Sequence, residues 1–302
     1  MSVEFTHVPA EASSHLSRPR SRGHGASSLR PTLESVFSTT VIDGPAGLLT
    51  NMDIAAEVAL STTMVGIALT HWSGVIDPVV AAGHIAELDR VAGGRLSLRL
   101  LLGPDGRACD GADRIGSHAD ALRQTDEYLM LLKRLWANDR PFDYEGPHYS
   151  VQNGFVERKG PQGSDIALRM GGVSGVALDV AGRHATVFEL TPGAPEEIRS
   201  LMERVEAAAS RYGRAGRIRF ALPVALGSGQ PPNVARMGSP AGVVQTLLGY
   251  TWLGVSEFMV VGLDDEETLT TFARDIAPVF QRTVPLRAAR RTPPGPAWLW
   301  AN

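Results

Sequence analysis

Cysteine is nearly absent. Cys109 is the single one in 302 residues, which excludes an intramolecular disulfide framework and a cysteine-rich zinc site. Aromatic residues make up only 6% of the chain. Neither sign of charge dominates: 29 Lys and Arg face 32 Asp and Glu, a net charge of −3. That balance leaves no global footprint for nucleic acid or an anionic membrane. Long hydrophobic runs are missing as well. The most apolar stretches, such as Val58–Leu69, are broken by Ser and Thr and fall short of the roughly 20 residues a membrane span needs. The N-terminus shows no export signal: Glu4 and His7 follow Met1, then comes a polar run from Glu11 to Arg30 without an apolar core. A cytoplasmic protein with neither nucleic-acid nor membrane partners is the expectation. His71, His84, His118, His148 and His184 have no metal-ligand spacing. No Gly-x-Ser-x-Gly elbow is present, so a hydrolase triad has little support, and chemistry without a metal is expected.

What the chain does have is alternation. Short apolar or β-branched segments fall at Val3–Val8, Val36–Ile42, Met64–Thr70, Leu96–Leu102, Ile166–Met170, Ala185–Leu190, Ile218–Ala225 and Glu257–Val261. Such segments suit strands buried on both faces of a parallel sheet. Helical patterns lie between them: Pro78–Val91, Ala119–Trp136, Gly175–Gly182, Pro195–Tyr212 and Pro240–Leu253, three of which open on Pro, a favourable first-turn residue. Eight strands mostly separated by helices point to an α/β fold, a closed (β/α)8 TIM barrel. The length fits one barrel domain over residues 1–302, with no internal repeat and no second domain. Residues 9–32, carrying Arg18, Arg20, Arg22 and Arg30, read as a mobile basic loop, and residues 286–302 as a C-terminal tail ending in Trp298-Leu299-Trp300. Little helix is visible in residues 9–35. Pro104–Gly116 and Asn138–Ser164 are long connections, of a length that is usually functional or disordered.

One local signal stands out. Ile166-Ala-Leu-Arg-Met runs as a strand into Gly171-Gly172-Val173-Ser174, and a helical pattern follows. Glycines let backbone N–H groups approach an anion, and a helix N-terminus adds partial positive charge. The turn reads equally as a phosphate site or as a plain tight connection with Ser174 as helix cap. In barrel enzymes the reacting groups sit at the C-terminal ends of strands. That rule nominates Thr70 and His71 after the third strand, Gly103 after the fourth and Glu189 after the sixth. Arg99 is a charge inside an apolar run, costly unless paired. It either answers a ligand anion inside the barrel or faces outward at a helix. His71 is either an acid–base group or a structural imidazole.

In combination, several segments resemble the bacterial luciferase-like flavin monooxygenases, closest to the alkanesulfonate monooxygenase branch. They are Ala86-Glu-Leu-Asp-Arg-Val-Ala-Gly-Gly-Arg95, Trp136 with Pro141-Phe-Asp-Tyr-Glu-Gly-Pro-His-Tyr149, Met170–Ser174 with Ala181-Gly-Arg183, and Gly238-Ser-Pro240 with Leu253-Gly-Val-Ser-Glu-Phe258. The resemblance covers roughly Met64–Phe280. It implies a barrel with flavin at the C-terminal ends of its strands and its phosphate at Gly171, Gly172, Val173 and Ser174. Thr70, Arg99 and Gly103 are then cofactor-binding, and His71 and Glu189 catalytic. Asp89, Arg90 and Arg95 fall to structure. The chain also departs from the alkanesulfonate enzymes. Their catalytic Arg and His on the seventh strand are matched by Pro223 and Ala225, their flavin-contacting Asn by Arg99, and their long insertion after that strand is reduced to about Gly227–Met237. These departures speak against sulfonate cleavage. The resemblance implies monooxygenation of a small organic substrate, in specialised metabolism, with reduced FMN from a separate flavin reductase, by a homodimer. The alternatives are hydride transfer from a reduced deazaflavin (coenzyme F-420) as a reductase or dehydrogenase, and a barrel that binds flavin without catalysis.

Overall fold

The computed structural model describes residues 3–9, 34–43, 48–73, 75–100, 116–226, 235–237, 239–263 and 266–289. Eight parallel strands close into a barrel: β1 (Glu4–Val8), β2 (Thr39–Ile42), β3 (Gly66–His71), β4 (Leu96–Leu100), β7 (Ala167–Gly171), β8 (Val187–Glu189), β9 (Arg219–Leu226) and β11 (Glu257–Val261). Neighbours pair in that order, β8 pairs β9, and β11 closes onto β1 with Glu4 opposite Glu257 and Val8 opposite Val261. All eight expected strands are present with ends moved by a few residues. The helices are α1 (Leu48–Ser61), α2 (Pro78–Val91), α3 (Gly116–Ala137), α4 (Gly175–His184), α5 (Pro195–Arg211) and α6 (Pro240–Leu253). Then come α7 (Glu266–Thr271), a π-helical turn at Phe272–Ile276 and α8 (Ala277–Ala289).

The helices start where local chemistry favours a start. Asp77 accepts from the Val79 and Val80 N–H groups at 2.8 and 3.3 Å, with Pro78 in the first turn of α2. Ser239 caps α6, and Gly254 at φ 114° ends it. Both are the ordinary solutions for orphaned helix-end groups.

Side chains alternate across each strand, so the core has two layers. Phe5, Ile67, Leu69, Leu98, Leu168, Phe188 and Phe258 pack outward against the helices. Val8, Val41, Ala68, Val187, Ala221, Met259 and Val261 form the smaller cluster inside the barrel.

Besides the helical segments after β11, further features were not anticipated. Helix α1 fills the connection after β2. The connection 138–164 contains an antiparallel hairpin of β5 (Phe142–Glu145) and β6 (Ser150–Gly154). Glu127 of α3 accepts from the N–H groups of His148 and Tyr149, each at 3.1 Å, which ties the hairpin tip to the helix. Of the segment Gly227–Met237, Ala235–Met237 forms β10, which adds to the C-terminal end of β9. The expected C-terminal tail begins as helix: α8 runs to Ala289, and the rest of the tail lies outside the described residues, as do nearly all of residues 9–32. Among the described residues no helix is long and apolar enough to cross a membrane.

Candidate active site

Register places a row of polar side chains at the C-terminal end of the barrel. Thr70 lies opposite Arg99, and Arg99 opposite Arg169. Asp43 directly follows Ile42, which pairs with Leu69, so it falls at the Thr70 level. Arg99 spans this mouth. Its Nε donates to both Glu189 oxygens at 3.0 and 2.9 Å, and its Nη1 to Asp43 Oδ2 at 3.1 Å. Below it, Arg169 Nε reaches Glu189 Oε1 at 3.4 Å, and its Nη2 reaches Glu257 Oε1 at 2.5 Å. Glu257 Oε1 also accepts from Thr6 Oγ1. The chain of contacts Asp43–Arg99–Glu189–Arg169–Glu257–Thr6 thus descends from the mouth into the barrel. Burial works against the Arg169 charge, but the Glu257 and Glu189 carboxylates outweigh it and raise its pKa above the ordinary guanidinium value. Unpaired, any of these charges would be strongly destabilising; paired in series, they are tolerated. Thr70 is fully buried in the same row, and its Oγ1 has no partner among the described residues.

The turn after β7 is the second component. Gly172 has φ 123°, and a Cβ there would lie 2.9 Å from the Ala177 Cβ. A Cβ at Gly171 would lie 2.7 Å from the Glu189 carbonyl oxygen. Both positions therefore need glycine, the first on conformation and space together. Ser174 is the N-cap of α4 and its Oγ accepts from Ala177 N–H at 3.2 Å. Val173 is 54% exposed, and its carbonyl accepts from Arg204 Nη2 at 2.8 Å. A backbone cradle, a helix N-terminus and a guanidinium meet at one open turn, a combination suited to an anion.

Of the residues nominated from sequence, Thr70, Arg99 and Glu189 converge on the barrel mouth, and Gly171–Ser174 form the turn beside Glu189. Arg99 faces the interior, so the outward-facing alternative is excluded. Its charge is already met by two carboxylates. His71 is not brought to the mouth with them. It points to the opposite side of β3 from Thr70, with Ile67 and Leu69, since strand neighbours face opposite ways. There its Nε2 shares a 2.7 Å hydrogen bond with the Tyr128 hydroxyl of α3. Burial lowers its pKa to about 4, and the same cause, with the Tyr149 and Asp77 charges, raises that of Tyr128. This geometry is that of a neutral imidazole packed between barrel and helix. Gly103 lies outside the described residues. Among the described residues no group of His, Cys, Asp and Glu is placed to hold a metal.

Sequence reading missed Asp43, Arg169, Glu257 and Arg204. The signal that singled out Arg99, a charge in an apolar strand, is equally present at Arg169 and Glu257. Asp43 and Arg204 carry no such local mark.

Similarity to known proteins bears on this arrangement. A family model described as luciferase-like monooxygenase matches residues 32–268. The solved structure of a long-chain alkane monooxygenase superposes with a TM-score of 0.79 at 14% identity, covering 94% of this chain and 92% of that one. An EDTA monooxygenase from Chelativorans sp. BNC1 gives 0.75 at 14%, covering 93% and 94%. A coenzyme F420 dependent tetrahydromethanopterin reductase from Methanopyrus kandleri gives 0.70 at 18%, covering 93% and 100%.

Proposed function

The chain belongs to the luciferase-like monooxygenase family, and from that premise we propose that it binds reduced FMN at the mouth of its barrel and oxygenates a small organic substrate. The observation that carries this reading is the turn at Gly171–Ser174. Its two glycines are required by close neighbours within the protein, and the turn sets backbone N–H groups beside the Ser174-capped N-terminus of α4 and the Arg204 guanidinium, a setting suited to a phosphate. The residues present fit a phosphorylated flavin in a second respect: the buried Thr70 hydroxyl has no partner among the described residues, and a ring with hydrogen-bonding edges would supply one. In this reading Gly171, Gly172, Val173 and Ser174 hold the phosphate with Arg204 beside them. Thr70 orients the ring, and Arg99 with Glu189 forms the surface beneath it. When bound, the cofactor supplies the redox chemistry with O2, and the barrel supplies binding, orientation and exclusion of water. A separate flavin reductase is the electron source. His71 is assigned to packing and Glu189 to ion pairing, not to proton transfer.

A second reading is hydride transfer from a reduced deazaflavin. It is favoured by the full-length match to the tetrahydromethanopterin reductase and by a short segment where the alkanesulfonate enzymes have a long insertion. Fluorescence titration of the apo-protein with FMN and with the deazaflavin separates the two. Turnover is then assayed with reduced FMN and O2, and with reduced deazaflavin without O2. Tight binding of FMN alone supports the first reading, and of the deazaflavin alone the second. Binding of neither rejects both.

A further inference from the structure

A lone arginine beneath a flavin ring would favour negative charge on the ring. Two-electron reduction with uptake of one proton leaves the ring anionic, whereas uptake of a second proton leaves it neutral. A nearby cation stabilises the anion and makes the ring easier to reduce. Arg99 is not such a cation. Its Nε is held by both oxygens of Glu189, and its Nη1 by Asp43. The three side chains are 15%, 10% and 5% exposed, so water screens them little. Glu189 is in turn shared with Arg169, which Glu257 neutralises from below.

We propose that Asp43 and Glu189 are tuning residues: by neutralising Arg99 they set how much positive charge the bound ring feels, and so how readily it is reduced. The inference rests on the flavin reading above. Both carboxylates depress the reduction potential relative to a site with Arg99 alone, and the arginine offsets them. The clamp also pins the guanidinium across the mouth, from β2 through β4 to β8, so its position beneath the ring does not depend on the ligand. Ring and substrate thus meet a surface on which an added anion finds no uncompensated guanidinium.

The test is the midpoint potential of FMN bound to the full-length protein, reduced anaerobically with dithionite against a reference dye. The chains compared are wild type, Asp43→Asn, Glu189→Gln and Arg99→Met. The two amide variants are expected to bind reduced FMN at least tenfold more tightly relative to oxidised FMN. For a two-electron couple that is about 30 mV more positive. Arg99→Met is expected to move the potential the other way. An unchanged or more negative potential in Asp43→Asn overturns the proposal. That variant is isosteric and keeps a hydrogen-bond acceptor for Arg99, so it decides the sign even if Glu189→Gln, which leaves two guanidinium groups short of a partner, fails to fold. If wild type binds only the deazaflavin, the same potentials are read on that cofactor with the same expected signs. If wild type binds neither, the flavin reading falls and this inference with it. Binding with unshifted potentials overturns this inference alone.

Discussion

At position 172 a requirement of conformation coincides with the proposed phosphate site. The backbone is left-handed there, and a Cβ would press on Ala177, so any substitution costs stability, about 1–3 kcal/mol for alanine. Aspartate adds a negative charge where the phosphate is proposed to sit. Gly172→Ala and Gly172→Asp are therefore expected to lose similar stability, read by urea unfolding, while FMN affinity falls at least tenfold further in Gly172→Asp. Equal affinity in the two variants would place the phosphate elsewhere. The neighbouring pair Thr70 and His71 shows how finely residue position decides role. One hydroxyl looks into the barrel without a partner, and the next side chain looks out and finds Tyr128.

Among the elements, the helix ends are held by long cations reaching backbone carbonyls. Lys159 donates to the Leu135 carbonyl at 3.2 Å and to that of Asn138, at the C-terminal end of α3 and just beyond, and to the Val156 carbonyl after β6 at 3.3 Å. Arg214 donates to the Gly182 and Ala185 carbonyls at the end of α4, joined by Lys133 on His184. Arg95 does the same for Ala59 at the end of α1 and for Val65. Both lysines of the chain are thus engaged in capping, where a positive charge also complements the helix dipole. Lys159→Met keeps the aliphatic stem but leaves three carbonyls short of a donor. We expect a loss of about 1–3 kcal/mol, measured by chemical denaturation, with cofactor affinity unaltered because the site lies at the other end of the barrel. A loss well below 1 kcal/mol would show that water replaces the ammonium.

For the whole molecule, a pH dependence comes from histidines buried without charge. Burial lowers both His7 and His71 to about 4. Unfolded, each returns to about 6.5, so between these values the unfolded chain binds more protons and stability rises with pH. Their contribution is complete above about pH 6.5 and is lost as pH falls towards 4, at most about 3 kcal/mol for each. His184, also lowered by burial despite its bond to Asp126, adds in the same direction. Urea unfolding at pH 7, 5.5 and 4.5 is expected to show a steady decline, and a flat profile over that range would mean that these imidazoles are solvated.

Much of this molecule could be read along the chain. Strands buried on both faces appear as short apolar runs, and caps such as Asp77 and Ser239 act on the next turn. The Gly171–Ser174 turn carries its own conformational demand. These are local effects, and the eight barrel strands and five of the helices followed from them. The hairpin Phe142–Gly154 did not, because its alternation is weak and its tip is held by Glu127, some 20 residues away. Facing was equally hidden. A strand with apolar residues on both sides has no pattern to say which side is inside, so Thr70 and His71 could not be told apart until the barrel closed. The charge ladder was hidden for a related reason. Arg99 and Glu189 are 90 positions apart, and Arg169 and Glu257 are 88 apart. Only the circular pairing of the strands brings these charges within hydrogen-bond distance, and with it the neutralisation that decides what Arg99 can do.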